Sequence, residues 1–162
     1  ILDYVSKQTG KSLATLTDEL NKGSGFLGIC GFSDWRDVEE NMRKKDKLAI
    51  LAIELITESA ARYIWNYYRE LDGKVDAIVF TAGIGENASL YRELVVNKLK
   101  LLGIQLDQQK NNETAAFKEI KQGIISTNDS NIPVYVIPTN EEIEIARDTY
   151  NLTKPKTLTK VK

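Results

Sequence analysis

Residues 75–92 constrain the fold of this chain more than any other segment. Residues 77–81 are a short apolar run with β-branched and aromatic members, which predicts a buried β-strand. Gly83 and Gly85 interrupt the run, and Asn87 or Ser89 supplies a side-chain cap for a following helix. Such a turn exposes unpaired backbone N–H groups, and glycine lets another molecule approach them closely. The segment predicts either a site for an anionic or nucleotide ligand or a tight strand-to-helix turn without one.

The bulk composition is that of an ordinary soluble globular protein. The 162 residues are enough for one domain with a core, and 42% of them are apolar and 28% charged. With 22 basic and 23 acidic residues, the net charge of −1 argues against nucleic acid or an anionic membrane as a partner. No apolar stretch is long enough to span a bilayer.

The chain contains no histidine, and Cys30 is its one cysteine. The sequence therefore excludes Ser/His and Cys/His nucleophiles and histidine metal sites from within this chain. Any chemistry must rest on carboxylates, arginines, lysines and backbone dipoles. A single cysteine excludes an intrachain disulfide and suits a reducing compartment, so we predict a cytoplasmic location.

The alternation of helical and extended patterns predicts an α/β fold. The longest helix is predicted over 46–71, and it is apolar on more than one face. Such a helix is either central to the core or part of a subunit contact. Four glycines within residues 23–31 predict a loop.

The second half of the chain predicts fewer strands than a complete α/β domain normally has. A buried strand is predicted over 133–137 and an edge strand over 123–127. A last helix over 141–151, capped by Thr139 or Asn140, is predicted to turn a set of apolar residues toward the core: Ile143, Ile145, Ala146 and Tyr150. The lysine- and threonine-rich tail, 153–162, predicts disorder. The shortage of strands suggests that part of the sheet lies outside this sequence.

The segment 138–142 follows the second buried strand, as 83–87 follows the first. Ligands of open α/β sheets gather at the carboxyl ends of strands, so parallel neighbouring strands would open both loops on one crevice. A carboxylate there suits Mg²⁺, but the residues alone favour the simpler interpretation that Glu141 and Glu142 complement the dipole of the helix they begin. In the segment 34–37, an aromatic and a guanidinium suit a base and a phosphate, and a capped helix start is the alternative.

Residues 83–88 also satisfy the dinucleotide fingerprint, Gly-x-Gly-x-x-Ala. Asp107 lies near the position of a ribose-binding carboxylate. A nicotinamide-dependent Rossmann oxidoreductase is therefore an alternative from a different enzyme class. The loop lacks the Gly-Lys-Ser/Thr ending of a P-loop, which excludes that motif.

Four segments together resemble the C-terminal part of an acetate kinase, in that family's order and at similar spacings: 28–31, 33–37, 76–87 and 136–142. The resemblance runs from residue 2 to residue 152. Its most specific part is Phe-Thr-Ala-Gly-Ile-Gly-Glu-Asn at 80–87. The resemblance implies a partial ribonuclease-H-like domain with long helices, of the superfamily that includes actin, Hsc70 and sugar kinases. In that family the ATP site lies between two domains.

The resemblance also implies roles for particular residues. It places Asp34, Trp35 and Arg36 along the adenosine of ATP. It assigns a second nucleotide-contacting loop to Gly83, Ile84, Gly85, Glu86 and Asn87. It makes Glu141 a magnesium ligand. Position 35 usually holds a smaller apolar residue in the family.

The activity implied is reversible transfer of the γ-phosphoryl group of ATP to acetate, which gives ADP and acetyl phosphate. Propionate and butyrate kinases of the same family are close alternatives, and a dimerisation or scaffold domain is a non-enzyme alternative. The family's acetate pocket and catalytic residues would precede Ile1. We therefore expect residues 1–152 to be an incomplete nucleotide-binding domain with no catalytic residue. We further expect it to be a fragment that is inactive alone and forms a homodimer.

Overall fold

The computed structural model describes residues 1–114 and 123–154 as a mixed α/β, helix-rich fold. Its helices are α1 Leu2–Thr9, α2 Leu13–Gly23, α3 Gly25–Cys30, α4 Trp35–Arg43, α5 Lys47–Glu70, α6 Ala82–Asn87, α7 Ser89–Asn97, α8 Gln108–Glu113 and α9 Glu141–Thr153. A 3₁₀ turn spans Lys100–Leu102, and the strands are β1 Ile78–Phe80, β2 Gly123–Ile124 and β3 Val134–Val136. Most of the tail predicted to be disordered, 155–162, lies outside the described residues.

A three-stranded sheet of order β1-β3-β2 positions the two predicted ligand loops. β1 pairs with β3 in parallel, with Ile78 opposite Val134 and Phe80 opposite Val136. β2 pairs with β3 antiparallel. All three predicted strands are confirmed as strands, and the edge strand is shorter than predicted. β3 buries Val134 and Val136 as expected, whereas β1 buries Phe80 but leaves Val79 exposed. Because β1 and β3 are parallel neighbours, their carboxyl ends meet at one edge of the sheet.

The long helix α5 confirms the prediction for residues 46–71. Its N-terminus is capped by Asp46, whose Oδ1 accepts bonds from Leu48 N at 2.9 Å and Ala49 N at 2.8 Å. One face packs against α3, α4 and α7 and buries mostly small residues: Ala49, Ala52, Ile53, Thr57 and Ala61. Elsewhere along its surface the helix leaves large apolar side chains exposed: Leu48, Leu51, Leu55, Tyr63 and Tyr67. The helix is central to the core on one side only, and a subunit contact on the other stays a prediction.

The buried apolar residues form two hydrophobic clusters. The larger joins the sheet to α5 and α7 through Ala61, Phe80, Val95, Val96, Leu99, Ile104, Ile125, Ile132, Val134 and Val136. The smaller joins α4 to α5 through Val38, Ala49, Ala52 and Ile53, with Phe26, Ile29 and Trp35 packed against it. Among the residues that the structure describes, none of the helices is long and apolar enough to cross a membrane.

The prediction of a loop over the glycine-rich segment 23–31 is wrong, because most of this segment forms the helix α3. Gly25 and Gly31 have φ of 62° and 81°, at the first residue of the helix and at its C-cap. Phe26, Ile29 and Cys30 pack against the smaller cluster. Gly25 and Gly31 therefore mark the ends of a short helix, and Gly28 lies inside it.

The last helix is confirmed over its predicted range, and its cap is Asn140, whose Oδ1 accepts a bond from Ile143 N at 3.0 Å. Its predicted orientation is wrong. The apolar residues expected to face the core, Ile143, Ile145, Ala146 and Tyr150, are all exposed. An apolar stripe shows that a helix is amphipathic, but it does not show which surface covers that stripe.

Candidate functional site

The chain turns sharply after β1 into the short helix α6. Ala82 has a φ of 57°, which is unfavourable for a residue with a Cβ and makes the turn tight. Contrary to the prediction from sequence, neither Asn87 nor Ser89 caps the following helix. The N-cap residue of α7 is Ala88, which makes no side-chain hydrogen bond to the helix. Asn87 Nδ2 instead donates to Gly83 O at 2.9 Å. The predicted glycine turn is thus itself helical.

The two glycines of α6 face different surroundings. A Cβ on Gly85 would lie 3.3 Å from the carbonyl carbon of Phe80, closer than such contacts usually are. Glycine at this position therefore lets α6 fold back against the end of β1. A Cβ on Gly83 would meet nothing within 4 Å, because that position opens onto a cavity.

The cavity has a volume of about 430 Å³ and lies between the start of α4 and the helix α6. It is lined by Ser33, Asp34, Trp35, Arg36, Glu39, Gly83, Ile84, Asn87 and Ala88. The structure thus brings together the two segments that the sequence predicted separately. Glu39 was missed, although its spacing of four residues from Trp35 places both on one helix face.

The α4 side of the cavity mouth carries a paired Asp34 and Arg36. Asp34 Oδ1 accepts bonds from Arg36 N at 2.8 Å and Nε at 2.9 Å, and Oδ2 accepts from Nη2 at 2.7 Å. The side-chain bond from Arg36, followed by its backbone bond, lowers the pKa of Asp34 to about 2. Asp34 also raises the pKa of Arg36. A guanidinium is therefore held in place at the mouth, where it can meet an anionic group.

Trp35 lines the cavity and belongs to an aromatic cluster. The Trp35 ring centre lies 6.1 Å from that of Phe26 and 5.7 Å from that of Tyr91, with Tyr91 edge-on. Trp35 Nε1 donates to Glu39 Oε2 at 2.8 Å, which fixes the indole. Burial raises the pKa of the Tyr91 hydroxyl. A fixed apolar ring beside a few polar groups is typical of a site for a planar ligand.

Glu86 ties α6 to the loop after β3. Its carboxylate is buried, and Oε1 accepts bonds from Thr139 N at 2.8 Å and Thr139 Oγ1 at 3.0 Å. The two loops expected at one crevice are therefore joined directly. Gly85 and Glu86 are not among the residues that line the cavity, so their predicted contact with nucleotide stays a prediction.

Glu141 lies in the first turn of α9, two residues after Thr139, and is exposed to solvent. Within residues 1–114 and 123–154, no group of three or more acidic, cysteine or histidine side chains could hold a metal. Mg²⁺ commonly takes only one or two protein carboxylates and fills its other positions with water and phosphate oxygens. The oxygen donor of Glu141 fits that chemistry, and its predicted role as a ligand stays a prediction.

Asp107 does not lie where the dinucleotide fingerprint requires a carboxylate. The residue before it, Leu106, bridges to Ser126, which follows β2 in the chain, so β3 and β2 separate it from β1. Asp107 Oδ1 accepts a bond from Lys110 N at 3.1 Å and caps α8. A Rossmann fold would place this strand beside β1, so the topology counts against the oxidoreductase alternative.

The family of this chain follows from comparison with known protein families. Residues 1–147 match the family model described as the acetokinase family. The chain belongs to this family. It is 47% identical over 155 residues to the acetate kinase of Mycoplasma capricolum subsp. capricolum and 49% identical over 148 residues to that of Thermotoga maritima. These alignments cover 95% and 90% of this chain.

Solved structures of the same family share the fold. A propionate kinase from Francisella tularensis aligns with a TM-score of 0.80 and 40% identity over 90% of this chain. The acetate kinase of Porphyromonas gingivalis aligns with a TM-score of 0.81 and 33% identity over 94% of it. The chain covers 36% and 37% of those two proteins, and 38% and 36% of the two curated acetate kinases.

Proposed function

We propose that this chain forms the adenosine side of the ATP site of a kinase that reversibly transfers the γ-phosphoryl group of ATP to acetate. The observation that carries the proposal is the cavity of about 430 Å³ in which residues 33–36 and 83–88 meet. It is supported by membership of the acetokinase family and by relatives named acetate kinase. A ribonuclease-H-like core, with further strands supplied outside residues 1–162, is part of the proposal.

Each side of the cavity would bind a different part of the nucleotide. The fixed indole of Trp35 offers a face for the adenine, and Gly83 exposes backbone without a Cβ in the way. Arg36, held by Asp34, offers positive charge near the ribose and phosphates. Glu141 would hold Mg²⁺ together with phosphate oxygens and water, and the ion would neutralise charge on the transferring phosphoryl group.

We propose that residues 1–162 bind nucleotide but do not form acetyl phosphate alone. In-line phosphoryl transfer depends on positioning the acceptor and neutralising charge on the moving group. Arg36 is the only cation that lines the cavity within the described residues. The chain aligns with 38% of the Mycoplasma capricolum enzyme, and the acid pocket would lie in the part that it does not cover.

The acceptor acid has a second candidate. The Francisella tularensis structure that shares 40% identity is a propionate kinase, whereas the Porphyromonas gingivalis acetate kinase shares 33%. A propionate or butyrate kinase is therefore the alternative within the family. Comparing acetate, propionate and butyrate as acceptors for the full-length protein separates these activities.

A homodimer and a cytoplasmic location complete the proposal. The exposed apolar face of α5 supports the dimer, because large apolar patches commonly mark interfaces. The use of ATP and the free thiol of Cys30 suit the cytoplasm. We expect sedimentation equilibrium to give a dimer, and a monomer at high concentration would contradict it. A dimer that binds no nucleotide would favour a scaffold role instead.

Isothermal titration of the 162-residue chain with MgATP and with NADH tests the nucleotide site. We expect binding of ATP and ADP, weaker binding by Asp34→Ala, and no competition from NADH. Asp37→Ala is the matched control, since it removes a carboxylate of the same helix turn that does not line the cavity. Tight NADH binding without competition by ATP would overturn the kinase assignment. Acetyl phosphate formation by the chain alone would overturn the proposed inactivity.

A further inference from the structure

Arg92 is a fully buried cation that the proposed function does not use. It lies in the first turn of α7 with 0% of its surface exposed. Burial lowers the pKa of its guanidinium to about 10, so the group remains protonated at neutral pH. A charge is rarely buried completely unless its hydrogen bonds are satisfied.

The guanidinium donates in two directions. Nη1 donates to the carbonyl oxygens of Gly85 at 2.9 Å and Glu86 at 2.8 Å, in the last turn of α6. Nε donates to Asn111 Oδ1 at 2.7 Å, and Nη2 donates to Asn111 O at 2.7 Å. Asn111 Nδ2 in turn donates to Ser89 O at 3.0 Å, so α8 fixes the orientation of the arginine.

These bonds complete the C-terminal end of α6. The carbonyl of Gly83 accepts from the Asn87 side chain, and that of Ile84 accepts from Ala88 N. The next two carbonyls along the helix are the ones that Arg92 binds. A helix of six residues has little intrinsic stability, so its shape must come from such contacts. In the described part of the chain, no carboxylate forms an ion pair with Arg92.

We infer that Arg92 is a positioning residue of the nucleotide site, which holds α6 from behind so that Gly83, Ile84 and Asn87 face the cavity. Asn111 supports it by orienting the guanidinium. The inference rests on the proposed function, because it assigns a cause to the shape of the wall that nucleotide would contact. A purely structural role would require only that Arg92 fill the core.

Titration calorimetry with MgATP on the 162-residue chain, with hydrogen exchange of its amides, tests the inference. We expect Arg92→Lys to weaken ATP binding about tenfold, because one ammonium cannot make the same fork of bonds to α6 and α8. Asn111→Ala keeps the arginine but removes its support, and we expect a smaller loss. In both variants, exchange should be faster at the amides of Asn87 and Ala88.

Ile125→Val is the control, because Ile125 is fully buried in the larger cluster and is not part of α6. It should lower stability without weakening ATP binding. If all three variants lose ATP affinity in proportion to stability, Arg92 is only a core residue and the inference is overturned. If the unsubstituted chain binds no ATP, the proposed function fails, and hydrogen exchange is the remaining test. Acceleration confined to α6 would then support only the statement that Arg92 holds α6, and uniform acceleration would overturn that statement too.

Discussion

The bond between Glu86 and Thr139 gives the sharpest test of how the two cavity-edge loops are joined. One carboxylate oxygen accepts both the backbone N–H and the hydroxyl of Thr139. Hydrogen bonds to charged groups contribute about 1.5–3 kcal/mol each, but Thr139 lies at the surface, where water competes. We therefore expect Glu86→Ala to lower the free energy of unfolding by about 2 kcal/mol. Glu86→Gln should cost about 1 kcal/mol or less, because the amide oxygen still accepts.

Urea denaturation followed by circular dichroism measures these changes, and a double-mutant cycle isolates the bond. Thr139→Val removes the hydroxyl at constant shape, and its coupling to Glu86→Ala, which removes the acceptor, should be about 0.5–1 kcal/mol. Glu142→Gln makes the same charge change at an exposed position of α9 and should stay within about 0.5 kcal/mol of the unsubstituted chain. A coupling energy of zero, with Glu86→Ala no more costly than Glu142→Gln, would refute the reasoning.

Three further predictions concern the glycines of α6, the Asp34 cap of α4 and the Trp35 ring. Gly85→Ala should lower stability by about 1–3 kcal/mol in urea, because its Cβ meets the end of β1, whereas Gly83→Ala should change stability by less than about 1 kcal/mol. The pKa of Asp34 is lowered from 3.8 to about 2, so its ionised carboxylate should contribute fully to the stability of the folded chain above about pH 4. This contribution should be lost as the pH falls through about 2. Carboxyl ¹³C shifts follow this titration, and a midpoint near 3.8 would contradict it. Nucleotide should quench Trp35 fluorescence in a Trp65→Phe chain, and an unchanged spectrum at saturation would count against an adenine beside the indole.

Much of the site could be predicted from sequence because its signals are local. The apolar runs at 77–81 and 133–137 are bounded by breaking residues, so both strands are apparent. Asp34, Asp46 and Asn140 cap helices by short-range bonds to backbone N–H groups. That the two strands are parallel neighbours is only an assumption from the sequence, and the observed parallel pairing brings their loops to one edge.

The parts that could not be predicted depend on tertiary contacts. Arginine is usually found at the protein surface, so the sequence does not indicate that Arg92 is buried. Its burial depends on carbonyls of α6 and on Asn111, 19 positions away. Glu86 lies in a loop assigned to nucleotide, yet its carboxylate bonds Thr139, 53 positions away. The predicted orientation of α9 was wrong for the same reason. Tyr150 and its apolar neighbours lie on a face of α9 that no other element buries in the described part of the chain.

The pairing of β1 with β3 has a consequence for the order of folding. Ile78 pairs with Val134, which follows α6, α7, α8 and β2 in the chain, so closing this contact costs about 1 kcal/mol more in chain entropy than packing α4 on α5. We expect α5 amides to gain protection before those of β3 in pulsed hydrogen exchange during refolding. Simultaneous protection would contradict this order. A newly synthesised chain would then have its helical half organised before a nucleotide cavity exists at all.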